Sequence, residues 1–304
     1  MKKSLFVCSL LLSLAMLTAT GAMAASSQKE LSLNINGSVA NGQNPIVIDN
    51  VTLVPIRTVS LIPNLKVDWD NKTKTVTVTD SDTKNKLKLT VGSNSAYVND
   101  KKVSVGINPT VKEGAVYVPF RFIGEALNAK VLWNPDTKTV VIYKPSQTLL
   151  QRFASNKLEE SRNASIQLPR ISLHEELAGT EEGGDGGTYY FPNKKSNSFI
   201  YAYRGIAQYA EVKDGAAWVK WEGQISTSKP NNKSVIPNVL QVSEKEWGDR
   251  PSFTGKIDFF KDLWKTEQVK FGTFDENGNI IYEGEKSLPN KGKDIIATIP
   301  AEQQ

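Results

Sequence analysis

The sequence has little of the side-chain chemistry from which most extracellular active sites are built. Its 304 residues include one cysteine, Cys8, and one histidine, His174. Cys8 falls in a segment that reads as a cleavable export signal: Met1-Lys2-Lys3, an apolar stretch from Leu5 to Leu17, then Gly21-Ala22-Met23-Ala24, with cleavage expected after Ala24. It precedes most of the apolar run, so it cannot be the acceptor of a lipoprotein signal. The processed chain would then hold no thiol, and with it no disulfide, no thiol nucleophile and no sulfur ligand for a metal. Its stability must come from core burial. One imidazole cannot build the zinc and copper sites that take two or three histidines. Leu173-His174-Glu175 adjoins no G-x-S-x-G elbow, so His174 is expected on an exposed loop or helix surface. Beyond the signal no stretch approaches about 18 consecutive apolar residues, so the processed chain is not expected to cross a bilayer.

What is present is enough to fold. Hydrophobic residues make up 39% and charged residues 23%, with 21 Gly and 14 Pro, which excludes fibrous and broadly disordered classes. The length suggests about two domains.

The first half carries an internal repeat. A shift of 64 residues places Pro45 on Pro109, Val54-Pro55 on Val118-Pro119, Arg57 on Arg121, Asn64 on Asn128, Trp69 on Trp133 and Thr73-Lys74-Thr75-Val76 on Thr137-Lys138-Thr139-Val140, without a gap. Each unit begins with a short extended run reaching a polar turn, at Asn36-Gly37 and Asn99-Asp100. A strand then closes on Pro55 or Pro119. Pro119 suits the first turn of a helix, because its missing N–H has no intrahelical partner there, and Phe120–Leu127 follows with helical spacing. In the first unit Pro63 cuts the equivalent helix to about one turn. Both units end in an alternating hairpin, from Lys66 to Val78 and from Lys130 to Ile142.

V-P-x-R, a short helix, then K-V-x-W-[DN]-x-x-T-K-T-V, twice in tandem, resembles the copper amine oxidase N-terminal-like domain, or stalk domain, of secreted and surface proteins of Gram-positive bacteria. The resemblance covers about residues 31–144, in units of about 31–80 and 95–144. It implies a small α+β module that in the oxidases accompanies the catalytic domain and holds neither the copper nor the quinone cofactor. No amine oxidase activity, metal, cofactor or catalytic residue is therefore expected. Arg57 and Arg121 invite a ligand-binding reading, and Trp69 and Trp133 a sugar-stacking one. The structural reading is favoured: the arginines bonded to carbonyls or hairpin carboxylates, the indoles in the core.

Residues 145–187 read as a linker. Ser146 is placed to cap a helix over about 147–161, with Arg162 in solvent, and a coil follows to Gly187. The acidic Gly-rich stretch Glu181–Gly187 lacks the ligand spacing of a calcium loop and is expected to be a flexible surface loop. Residues 188–304 resemble no recognised family and read as a β-rich, sandwich-like domain. Hairpins are expected around Lys213-Asp214-Gly215 and Asp275-Glu-Asn-Gly278, and a short helix from Lys256 to Thr266. Its aromatic residues fit either a packed core or a platform on which sugar rings stack, and Tyr201, Tyr203, Trp218 and Trp221 are the candidate ligand-binding residues. Glu211 and Glu222 are the carboxylates that could flank a glycosidic bond.

Removal of Lys2 and Lys3 leaves 35 basic against 32 acidic residues, or +3; residues 31–144 hold 14 against 9, or +5, and residues 145–304 hold 20 against 22, or −2. A mildly basic module suits anionic wall polymers. A nucleic-acid partner is not expected, since no binding motif accompanies the charge. Leu288-Pro-Asn-Lys-Gly292 lacks the hydrophobic tail of a sortase signal. The leading expectation is a secreted, non-catalytic surface or wall-associated protein whose stalk presents the C-terminal domain, with a cell-wall polymer or polysaccharide as partner. The alternatives are a glycan- or peptidoglycan-acting hydrolase targeted by the stalk, and a structural or spore-associated component.

Overall fold

The computed structural model describes residues 30–40, 44–179, 186–225, 234–236, 239–263, 266–288 and 292–300. The export signal, residues 181–185 of the acidic loop and residues 289–291 of the sortase-like stretch lie outside them. No helix among the described residues is long and apolar enough to cross a membrane.

The N-terminal half runs β1 (Ser32–Ile35), β2 (Ser38–Val39), β3 (Ile46–Ile48), β4 (Val51–Pro55), α1 (Ile56–Val59), β5 (Leu65–Asp70), β6 (Thr75–Asp80), β7 (Lys86–Thr90), β8 (Ser95–Val98), β9 (Lys101–Ser104), β10 (Thr110–Lys112), β11 (Ala115–Pro119), α2 (Phe120–Leu127), β12 (Lys130–Asn134) and β13 (Thr139–Tyr143). Pro119, at φ −61°, opens α2, and Asn128, at φ 53°, ends it in the left-handed region that asparagine tolerates. Asn64 takes the same conformation at φ 69° after the four-residue α1.

Three sheets share one core. The central sheet, β10-β11-β4-β3, pairs β4 with β11 so that Val54 faces Val118, Pro55 faces Tyr117 and Leu53 faces Pro119. Val54 and Val118, 64 residues apart, thus face each other across this pairing. The other sheets are β5-β6-β7-β8-β9 and β12-β13-β1-β2, the latter closed by parallel pairing of β1 with β13. Leu33, Val54, Val78, Leu87, Ile123, Leu127, Val140 and Ile142 fill the space between them.

The C-terminal half runs α3 (Gln147–Phe153), α4 (Leu158–Ser165), β14 (Arg170–Ile171), β15 (Thr188–Pro192), β16 (Ser198–Tyr203), β17 (Ile206–Lys213), β18 (Ala216–Ile225), β19 (Ser234–Ile236), β20 (Leu240–Gly248), β21 (Ile257–Leu263), β22 (Gln268–Phe274) and β23 (Ile280–Ser287). It is β-rich, as expected, but not a sandwich of two sheets. One curled sheet, β19-β20-β18-β17-β16-β15-β21-β22-β23, carries β14 beside β18. One of its faces packs Phe191, Phe199, Phe260 and Phe271 against Ile166 and the final segment Ile295–Ile299. The other face closes over Trp221, Val235, Ile236, Val242 and Phe253. The hairpins turn at Asp214-Gly215 and at Gly278, all at positive φ.

Two expectations are corrected here. The helix from Lys256 to Thr266 is strand β21, paired on one side with β15 and on the other with β22. Its Ile257-Asp258-Phe259-Phe260 run is buried on both faces, and such a strand loses the alternation that separates it from a helix. The linker is also part of the fold. Its single expected helix is two, α3 being capped by Ser146 Oγ, which accepts from the Leu149 N–H at 3.2 Å. In α4 Arg162, expected in solvent, is buried and donates to Asp258 Oδ2 at 2.8 Å, while Asn163 bonds both main-chain groups of Ile296. A further small core of Val141, Tyr143, Ile171 and Ala216, with Leu132 and Trp218 against it, joins the two halves.

Candidate functional site

The strand register of the C-terminal sheet places Phe260, Tyr189, Tyr201, Gln208, Glu222 and Trp247 in one row across six strands. Tyr203 lies two residues beyond Tyr201 on the same face, with ring centroids 6.1 Å apart. Of the four candidate aromatics, then, Tyr201 and Tyr203 are brought together. Their rings are already engaged: Tyr201 has Tyr189 at 4.6 Å and the Arg170 guanidinium 4.5 Å over its ring, and Arg204 sits 5.1 Å over Tyr203. Burial pushes the Tyr189 phenol up to about 12. A sugar would have to displace these cations. Trp218 and Trp221 do not belong to a binding face. Trp218 meets Tyr143 edge-on at 5.6 Å, within the contact between the halves, and Trp221 is fully buried, its Nε1–H donating to Glu246 at 3.0 Å.

Beside this row lies a cavity of about 210 Å³ with Gln208 and Glu222 among its lining. Glu222 is fully buried and accepts from Gln208 Nε2 at 2.9 Å, from the Leu177 N–H, and from His174, whose Nε2 lies at 3.2 Å. Burial favours its neutral form, but the donors, His174 first, outweigh it and hold the carboxyl below the usual glutamate range. A glycosidase acid needs the opposite shift. Glu211 is exposed on the other face of the sheet, where it accepts from the Tyr209 hydroxyl at 2.8 Å. The two carboxylates therefore do not flank a common bond.

His174 is not on the surface. Its side chain is 6% exposed, stacked on Trp247 at 3.6 Å between centroids, with Ser172 Oγ 2.9 Å from Nδ1 and Glu222 on Nε2. Serine, histidine and carboxylate thus touch, yet neither Ser172 nor His174 lines the cavity, and the Ser172 hydroxyl also donates to the His174 carbonyl at 3.1 Å. The cluster clasps residues 172–177 onto the sheet. With both ring nitrogens engaged, and no group of three His, Cys, Asp or Glu among the described residues placed to hold an ion, the residues present do not fit a copper centre.

Exposed indoles, and exposed guanidinium groups without a partner among the described residues, lie in the N-terminal half. Trp69 and Trp133, expected in the core, are 44% and 43% exposed. Alternation does put Trp133 on the face of Val131, which packs on the core, and Trp69 on the face of Val67. The core ends before the indoles, because each stands next to last on its strand, just ahead of the turn. That position is the signal that sequence reasoning missed. Neither indole has a ring partner among the described residues, and the guanidinium groups of Arg57 and Arg121, expected to be bonded, are exposed and make no hydrogen bond or ion pair with them. Trp133 and Arg121 line a groove of about 630 Å³ between the start of α2, Asn50–Thr52 at the entry to β4, and Ser104–Ile107 at the end of β9. Phe120, Phe122 and Glu125 complete the α2 wall. The volume is that of a small-ligand site.

No curated protein matches this chain. The groove lies within the one segment for which a relationship is found: residues 34–142 match the family Copper amine oxidase N-terminal domain, and the rest of the chain has no family match.

Proposed function

We propose that the protein is an exported, non-catalytic binding protein of the cell surface or wall, in which a tandem stalk module contacts a wall polymer or polysaccharide and holds the C-terminal β domain. The observation that carries this reading is an exposed indole, Trp133, beside an unpaired guanidinium, Arg121, in one groove. Stacking on a sugar ring and donation to its oxygens are the contacts such a pair makes. The tandem reading is supported by the pairing of Val54 with Val118, and by Asp80 and Lys144, also 64 apart, which form a buried ion pair at 3.0 Å.

The competing reading is a secreted glycan- or peptidoglycan-acting hydrolase, and it draws on the Ser172–His174–Glu222 contact. It is disfavoured because neither the serine nor the histidine lines the cavity and the carboxyl is held below the usual glutamate range. Purified mature protein incubated with peptidoglycan and with common polysaccharides separates the two. Binding predicts sedimentation with a polymer and no soluble sugar; released sugar would establish the hydrolase instead.

A further inference from the structure

The groove has one cation and one anion in its lining, and their placement narrows the ligand. Arg121 and Glu125 are one helical turn apart on α2, both exposed, and make no ion pair with each other. Arg121 is therefore a planar donor fork with nothing to bind, in a module whose charge balance over residues 31–144 is 14 against 9, or +5. Trp133 supplies an apolar wall, and Asn50, Thr52 and Ser104 supply small polar groups of the kind that bind ring hydroxyls. A neutral sugar would leave the guanidinium unanswered. A polyphosphate chain has no ring to stack on the indole and no hydroxyl to donate to Glu125. A pyranose bearing its own carboxylate answers both: its ring stacks on the indole, its carboxylate takes the guanidinium in a bidentate pair, and its hydroxyls donate to Glu125.

Resting on the binding reading above, we infer that the groove between α2 and β4 is a site for an acidic glycan, a chain of hexuronate residues, with Arg121 as the carboxylate-binding residue and Trp133 as the stacking one. Calorimetric titration of the mature protein with oligogalacturonate and with its methyl ester tests this, because the ester keeps the ring and removes the charge. A charge-assisted pair predicts roughly tenfold or more tighter binding of the acid. Arg121→Gln should erase that difference and retain the affinity for the ester, and Trp133→Ala, with an unchanged far-ultraviolet spectrum, should lose both ligands. Equal affinity of the wild-type protein for acid and ester would overturn the carboxylate inference and leave the stacking contact standing. Acid binding that survives in both variants, or no binding of either oligomer, would overturn the site itself. Neither result bears on whether the wild-type protein sediments with a polymer, so failure of this inference and failure of the binding reading remain distinct.

Discussion

Lys144 and Asp80 face each other with 4% and 0% of their side chains exposed, where neither charge can fall back on water. Burial alone would raise the Asp80 pKa, but the Thr83 hydroxyl, Lys144 and the Asp82 N–H outweigh it and hold the carboxyl below its ordinary 3.8. Removing one partner strands the other. Lys144→Met should cost about 3 kcal/mol in urea unfolding, and adding Asp80→Leu should restore much of that loss. Because the folded-state value is depressed, Asp80 contributes its stability fully above pH 3.8 and loses it as pH falls below that value. Urea midpoints of the wild type should therefore drop on acidification through that window, and those of the double variant should drop less. The sequence says nothing of these two residues meeting. The ends of β6 and β13 come together only once three sheets have closed on one core.

Among the elements, the most legible were those whose ends carry backbone constraints. Pro119 opens α2, Pro63 limits α1, and the polar turns at Asn36-Gly37 and Asp214-Gly215 mark hairpins, because these residues are chosen by local φ. At Asn128, φ 53° makes a β-branched side chain costly: Asn128→Val should lower stability by about 1–2 kcal/mol in a thermal melt, and Asn128→Gly should be close to neutral. Least legible were elements set by partners distant in sequence. Strand β21 is buried between β15 and β22, and α4 is pinned by Asp258 and Ile296, 96 and 133 residues away from the residues they bind. The site followed the same division. Alternation put Trp69 and Trp133 on the core-facing side, but where the core stops depends on how the sheets stack. For the C-terminal rings, whether a guanidinium covers them depends on where Arg170 and Arg204 are brought by the fold.

At the scale of the molecule, the two halves share more than a peptide bond. The cluster of Val141, Tyr143, Ile171 and Ala216 is continuous across them, Asn134 Nδ2 donates to the Leu173 carbonyl at 2.7 Å, and the Gln147 N–H donates to Asp82 Oδ2 at 2.8 Å. Gly37 admits the Arg170 carbonyl where a Cβ would stand 2.1 Å from it. A stalk coupled in this way should unfold together with what it carries. Scanning calorimetry of the mature protein should show one transition, and Trp218→Ala, which removes the largest side chain at the junction, should separate it into two. The proposed function has the protein bind polymer through its N-terminal indoles, Trp69 and Trp133. Co-sedimentation with an insoluble polymer that retains the wild-type protein tests it most directly, comparing Trp69→Ala/Trp133→Ala with Tyr203→Ala. The double variant should stay in the supernatant and Tyr203→Ala should pellet with the polymer; the reverse pattern would place binding on the C-terminal sheet instead.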